Sequence, residues 1–192
     1  MGTIFQSLGR SVTAGVLLLV ALVALFGSTK FDHAWGLFLV RWLHVLCGVM
    51  WVGLLWYFNF VQIPSMPKIP DEQKPAVSKV IAPAALFWFR WAALATVVTG
   101  LLLTFMNGSI GVALQLQRPY TAIGIGMWLA LVMAFNVWFI IWPNQKKALG
   151  MVNVDAAEKA AAARFAMLTS RFNTMLSIPM LYCMVAQQNN GL

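Results

Sequence analysis

Five long apolar runs, at about 12–26, 36–63, 84–106, 120–142 and 165–186, occupy most of this chain, and no Asp or Glu falls inside any of them. A membrane-crossing helix needs about 20 predominantly apolar residues. The 192 residues therefore have room for about five spans. Only 9% of the residues are charged and the mean hydropathy is +0.79, whereas soluble domains carry roughly a quarter charged residues. Such a chain cannot cover a globular surface with polar groups, which excludes a soluble enzyme. Disordered chains are poor in apolar residues, so disorder is excluded as well. The expectation is an all-α integral membrane protein, one membrane domain over residues 1–192, in the bacterial inner membrane.

The first run has the short apolar core of a signal peptide, but Ala24 and Phe26 make a poor small-x-small cleavage site. It reads as an uncleaved span. Pro64, Pro67, Pro70, Pro75 and Pro83 mark the stretch after the second run as an ordered loop or short linker, not a span. Pro143 is expected to close the fourth helix. The Ala-rich stretch 155–164 extends the fifth beyond the bilayer.

The net charge of +8 lies mostly in the links between runs, where Lys and Arg orient spans toward the cytoplasm. With the N-terminus inside, the inner links hold Arg10, Lys68, Lys74, Lys79, Lys146, Lys147, Lys159 and Arg164, against Lys30 and the boundary residues Arg41 and Arg118 outside. An N-in, C-out topology follows. The basic residues serve the lipid bilayer and do not point to nucleic acid.

The second and fourth runs are related. Arg41 through Asn59 aligns without gaps on Arg118 through Asn136, with six of nineteen positions identical: the Arg, a Met-Trp pair, one Leu and a Phe-Asn pair. Arg90-Trp91 and Arg171-Phe172 echo each other in the third and fifth runs. The expectation is a pseudo-two-fold parallel repeat. Helices 2 and 3 form one hairpin (36–106) and helices 4 and 5 the other (118–186), with the first span (1–30) outside it. The repeat sets Asn59, Arg90, Asn136, Arg171 and Asn173 in one polar layer of the cytoplasmic leaflet. An intramembrane Arg is costly unless it snorkels or is paired. With no acid in the spans, lipid phosphate, Asn side chains, backbone carbonyls or an anionic ligand must serve it.

His44 lies in the outer half of its run, one turn below Arg41 and three residues before Cys47. Neutral imidazole ligates haem iron, and Arg41 is placed to meet haem propionates. The His-Cys pair with nearby Met50 also suits copper. The plain alternative is a packing histidine. His33 is eleven residues away, roughly 16 Å along a helix, and cannot share one iron with it. Cys47 and Cys183 lie inside apolar runs, and neither a CxxC nor a CxxCH motif occurs. No structural disulfide is expected, and any haem would be held non-covalently.

Three motifs in order carry a resemblance. Arg41-Trp-Leu-His44 through Gly48, Trp51 and Gly53 is the first. The second is Phe135-Asn-Val-Trp-Phe-Ile-Ile-Trp-Pro-Asn-Gln-Lys-Lys147, and the third is Ser170-Arg-Phe-Asn-Thr174 with Ser177-Ile-Pro179. Together they resemble the urate oxidase N-terminal membrane-domain family, the membrane part of the cytochrome c-linked urate hydroxylase. The first motif is also similar to one in haem-dependent protoporphyrinogen oxidases. The resemblance implies a redox setting, with a c-type cytochrome or terminal oxidase as partner. Three readings stay open. One is an accessory or electron-transfer subunit of a respiratory complex with haem b at His44. The others are a purely structural subunit and a urate-oxidising enzyme that passes electrons to a separate cytochrome c.

Overall fold

The computed structural model describes residues 2–27, 30–189 and 191. The described residues contain helices and turns but no strand. Helix α1 is Leu8–Phe26, α2 is His33–Lys68, α3 is Lys74–Met106 and α4 is Thr121–Ala148; all four are long and apolar enough to cross a membrane. Helix α5 is Ala156–Asn189. Contacts divide the chain into two compact units, Met1–Phe38 and Leu39–Leu192. No residue of α1 is buried, and its outward Leu and Val side chains are those of a helix whose solvent is lipid.

Two of the long helices, α2 and α5, begin where a short acidic side chain holds a free backbone N–H group. The Trp35 N–H donates to Asp32 Oδ1 at 3.0 Å, at the start of α2. The Glu158 N–H donates to Asp155 Oδ1 at 2.7 Å, at the start of α5. The prolines act differently from the expectation. The stretch 64–83 is not a loop: α2 runs on to Lys68 and α3 already starts at Lys74, leaving only residues 69–73 between them. Pro143 does not close α4 either, which continues to Ala148. The reason is a local widening of the helix. Residues Tyr57–Gln62, Val77–Ile81 and Asn136–Ile141 form π turns, and each ends two residues before a proline, Pro64, Pro83 or Pro143. Proline lacks an N–H and its ring collides with the carbonyl four residues back. A wider turn relieves that collision without ending the helix. In the short link, Lys74 pairs with Asp71 at 2.6 Å, and its hydrogen bond and charge hold the exposed Asp71 carboxyl below its usual range.

Within the second unit, α2, α3, α4 and α5 share one core. Trp51, Leu55, Leu86, Phe89, Met133 and Val137 are almost fully enclosed there. Hydrogen bonds and ring contacts give the directions. His44 meets Thr96 while Phe58 meets Phe89, so α2 and α3 run antiparallel. Gln187 meets Ile123 while Asn173 meets Asn136, so α4 and α5 do too.

Helix α5 is the most instructive element. Its buried positions are Ala162, Ala166, Ser170, Asn173, Ser177, Met180, Cys183 and Ala186, a stripe repeating every three or four residues. Small and polar side chains line the inside, while Phe165, Phe172, Ile178 and Val185 face out. This inverts the pattern of a soluble helix. The small stripe lets α4 come close: a Cβ on Gly126 would lie 3.2 Å from the Cys183 Cβ.

The two matched segments share one feature and differ in another. Asn59 and Asn136 both sit in π turns. The Met-Trp pairs, however, are turned differently. Trp51 is enclosed and Met50 exposed, whereas Met127 is enclosed and Trp128 exposed.

Candidate functional site

His44 is half-buried against α3. Its Nδ1 lies 3.0 Å from the Thr96 carbonyl and 3.2 Å from Thr99 Oγ1. A carbonyl only accepts, so Nδ1 carries the proton and donates it to Thr96. Nε2 is left with its lone pair. This is the arrangement in which a histidine ligand is oriented by its second nitrogen. Gly100 makes room for the ring, because a Cβ there would stand 2.9 Å from His44 Cε1. The Thr96 carbonyl and the Gly100 gap therefore orient and seat the ring through Nδ1, which leaves Nε2 as the nitrogen able to accept or ligate. Arg41 is exposed one turn above, Cys47 is half-buried on the same side, and Met50 is exposed. Both cysteines are free thiols. The described residues contain no group of three or more His, Cys, Asp and Glu side chains that could hold a metal ion.

The polar layer lies about 20 Å farther along α2, at 1.5 Å per residue. Asn59 Nδ2 donates to the Leu55 carbonyl at 2.9 Å and to Ser170 Oγ at 2.8 Å. Asn136 Nδ2 donates to Asn173 Oδ1 at 2.8 Å, and Asn173 Nδ2 donates to the Met133 carbonyl at 2.9 Å. One turn away, Trp56 Nε1 donates to Ser177 Oγ at 3.0 Å. The inner stripe of α5 thus supplies partners to both α2 and α4.

Arg90 sits at the same level, one residue after Phe89, whose ring meets Phe58 at 5.6 Å. Its guanidinium lies 3.2 Å over the Trp142 ring and 6.0 Å from that of Trp138. Trp138 in turn meets Trp91 edge-on at 5.5 Å. Arg171 is placed otherwise. It is exposed, while its neighbours Ser170 and Asn173 face inward. The structure therefore joins Asn136 with Asn173, carries Asn59 onto Ser170, seats Arg90 on tryptophan and leaves Arg171 on the outer face of α5.

Several residues at these sites escape a reading by residue type. Thr96, Thr99 and Gly100 matter only because α3 lies against His44. Ser170 and Ser177 look like ordinary span residues. Trp138 and Trp142 did leave a signal: their spacing of four sets both indoles on one helix face.

No curated protein and no solved structure matches the chain. His44, Asn59 and Arg90 lie before the stretch that a family model does match. Residues 110–190, which hold Asn136, Trp138, Trp142 and the whole inner stripe of α5, match the urate oxidase N-terminal family, the family that the sequence motifs resemble.

Proposed function

We propose that this multi-pass membrane protein is a urate-related accessory or electron-transfer subunit of a bacterial redox complex, holding one haem b through His44 Nε2. The observation that carries this reading is the Nδ1 hydrogen bond to the Thr96 carbonyl, which fixes the tautomer a metal-bound imidazole needs. A bound haem supplies one-electron transfer. The chain's own residues orient the imidazole through Thr96, clear space for it at Gly100, and offer the exposed Arg41 cation to propionates one turn above. Helix α5 acts as a fifth span in this reading. Its inward polar stripe lowers its average hydropathy while its outer face stays apolar. The N-terminus is cytoplasmic, the C-terminus is outside, and the electron partner is a c-type cytochrome or a terminal oxidase in the same membrane.

The visible spectrum of the full chain purified from native membranes tests this. The expected result is a Soret band that is lost in His44→Ala and kept in His33→Ala. Protein without a Soret band, under conditions where haem is supplied, removes the haem.

A structural-subunit reading is favoured by one further observation. Helix α2 exposes Val45, Val49 and Met50 beside an apolar groove of about 360 Å³ lined by Leu46, Val49, Met50, Gly53 and Leu54. In an assembly that face would be covered. This reading predicts that Val49→Asp disrupts copurification of partners while leaving any haem spectrum unchanged. The urate-oxidising reading rests on the family match alone. It predicts urate consumption by membranes containing the chain and an added cytochrome c.

A further inference from the structure

Among the described residues, seven buried side-chain nitrogen and oxygen atoms have no hydrogen-bond partner in the protein. All but Trp51 Nε1 belong to the π-turn level of α2 and α4 and the turn of α3 that faces it. They are Arg90 Nε and Nη1, Trp138 Nε1, and the amide oxygens of Asn59, Gln62 and Gln145. Ring contacts tie these elements together at that level, with Phe58 on Phe89, Trp91 on Trp138 and Arg90 on Trp142. Gln62 and Gln145 follow Asn59 and Trp142 by three residues each.

A buried donor without an acceptor forfeits the hydrogen bonds it made to water, and a charged donor forfeits more. Arg90 has no carboxylate to recover them. The chain has five acidic residues. Asp71 pairs with Lys74 and Glu158 with Lys147. Asp32 and Asp155 hold helix starts, and Glu72 is exposed in the link after α2. Stacking on Trp142 satisfies the face of the guanidinium but none of its N–H groups. What remains is a flat, fixed cation with its edges bare, beside an indole N–H. Each bare nitrogen shares an edge with Nη2, so each edge offers the two-pronged fork that suits planar oxygen pairs.

We propose that Arg90, Trp138 and Trp142 form an oxyanion-binding site at this end of the bundle. The anion accepts from the guanidinium edge and from Trp138 Nε1, and it lies against the tryptophan pair. The amide oxygens of Asn59, Gln62 and Gln145 add acceptors at the same level. A planar anion that also carries N–H groups uses both sets, whereas a lipid phosphate uses the donors alone. The site is separate from haem at His44, which lies fifteen residues before Asn59 on α2, and its test has no absorbance readout in common with that proposal.

The test uses the full chain in nanodiscs with two probes. Urate is titrated in neutral phosphatidylcholine discs. Retained phosphatidylglycerol is counted by native mass spectrometry in mixed discs. The expected result is saturable binding of at least one probe that weakens roughly tenfold or more in Arg90→Gln. It weakens less in Arg90→Lys, which keeps the charge and loses the fork, and in Trp142→Leu. Arg164→Gln, on the exposed side of α5, leaves it unchanged. Binding of urate assigns the site to a soluble planar anion, and binding of phosphatidylglycerol alone assigns it to lipid phosphate. Wild-type protein that binds neither probe saturably overturns the proposal, whatever the variants do. So does equal weakening in Arg90→Gln and Arg164→Gln. Should Arg90→Gln fail to fold, the Arg90→Lys and Trp142→Leu titrations decide in the same way.

Discussion

Asn173 is enclosed completely and makes two interhelical hydrogen bonds, accepting from Asn136 and donating to the Met133 carbonyl. Asn173→Ala strands the Asn136 amide and one carbonyl. Bonds between spans average well under 1 kcal/mol by double-mutant cycles, but an orphaned buried donor costs more. The expected loss is about 1–2 kcal/mol in reversible unfolding in detergent. A neutral result would mean that water or lipid satisfies Asn136. His44 offers a second residue-scale test. Gly100→Ala presses a methyl group onto Cε1, and overpacking of this kind costs about 1–3 kcal/mol. The unfolding midpoint should fall, and any Soret band should shift, because the ring can no longer keep its bond to Thr96. His44, Arg90 and the Asn residues were legible as candidates because intramembrane polar groups are rare. Their partners were not. Thr96, Gly100 and Ser170 carry no chemical rarity, and only helix packing selects them.

The π turns are the feature by which α2, α3 and α4 differ from simple spans. Each lets a helix pass its proline and re-aims the side chains beyond. Pro143→Ala removes the cause of the widening after Asn136. An α-helical 136–141 would turn Asn136 and Trp142 relative to each other. Removing a proline from a helix ordinarily stabilises it. Here the expected effect is a net loss of about 1 kcal/mol, since the Asn136–Asn173 bond and the Arg90 stack are strained or broken. Thermal unfolding of Pro143→Ala beside Asn173→Ala checks this, and a gain in stability would show the π turn to be passive. Helix α5 gives the complementary test. Ser177→Leu forces bulk into an enclosed position and should cost about 1–3 kcal/mol, whereas Ile178→Leu on the exposed side should stay within about 0.5 kcal/mol. The periodicity of α5 was readable, but which stripe faced inward was not. In this helix the small and polar stripe turns inward and the large apolar side chains outward, opposite to the rule for soluble helices.

For the whole molecule, the balance of Lys and Arg predicts that the 69–73 link and the 149–155 link lie on the cytoplasmic side. In a background with Cys47 and Cys183 replaced, Gln73→Cys should resist an impermeant maleimide added to intact spheroplasts, and Asn107→Cys should react. Reversed labelling would invert the topology and move the Arg90 site to the outer leaflet. The sequence repeat also reaches its limit at this scale. The two Asn residues occupy equivalent π turns, but the Met-Trp pairs are rotated, and Arg90 and Arg171 have unlike surroundings. The Asn-bearing π turns are common to the two segments, while each segment packs against different neighbours.

Hydropathy and the scarcity of acids were enough to mark four helices long and apolar enough to cross a membrane, and the few polar positions within them. These properties depend on each residue's own transfer free energy, which neighbours in space hardly alter. The fate of the prolines, the inward face of α5, the tautomer of His44 and the isolation of the Arg90 edge came only with the packed bundle. Each depends on which groups from distant parts of the chain are brought within hydrogen-bonding or stacking distance, and no local pattern encodes that.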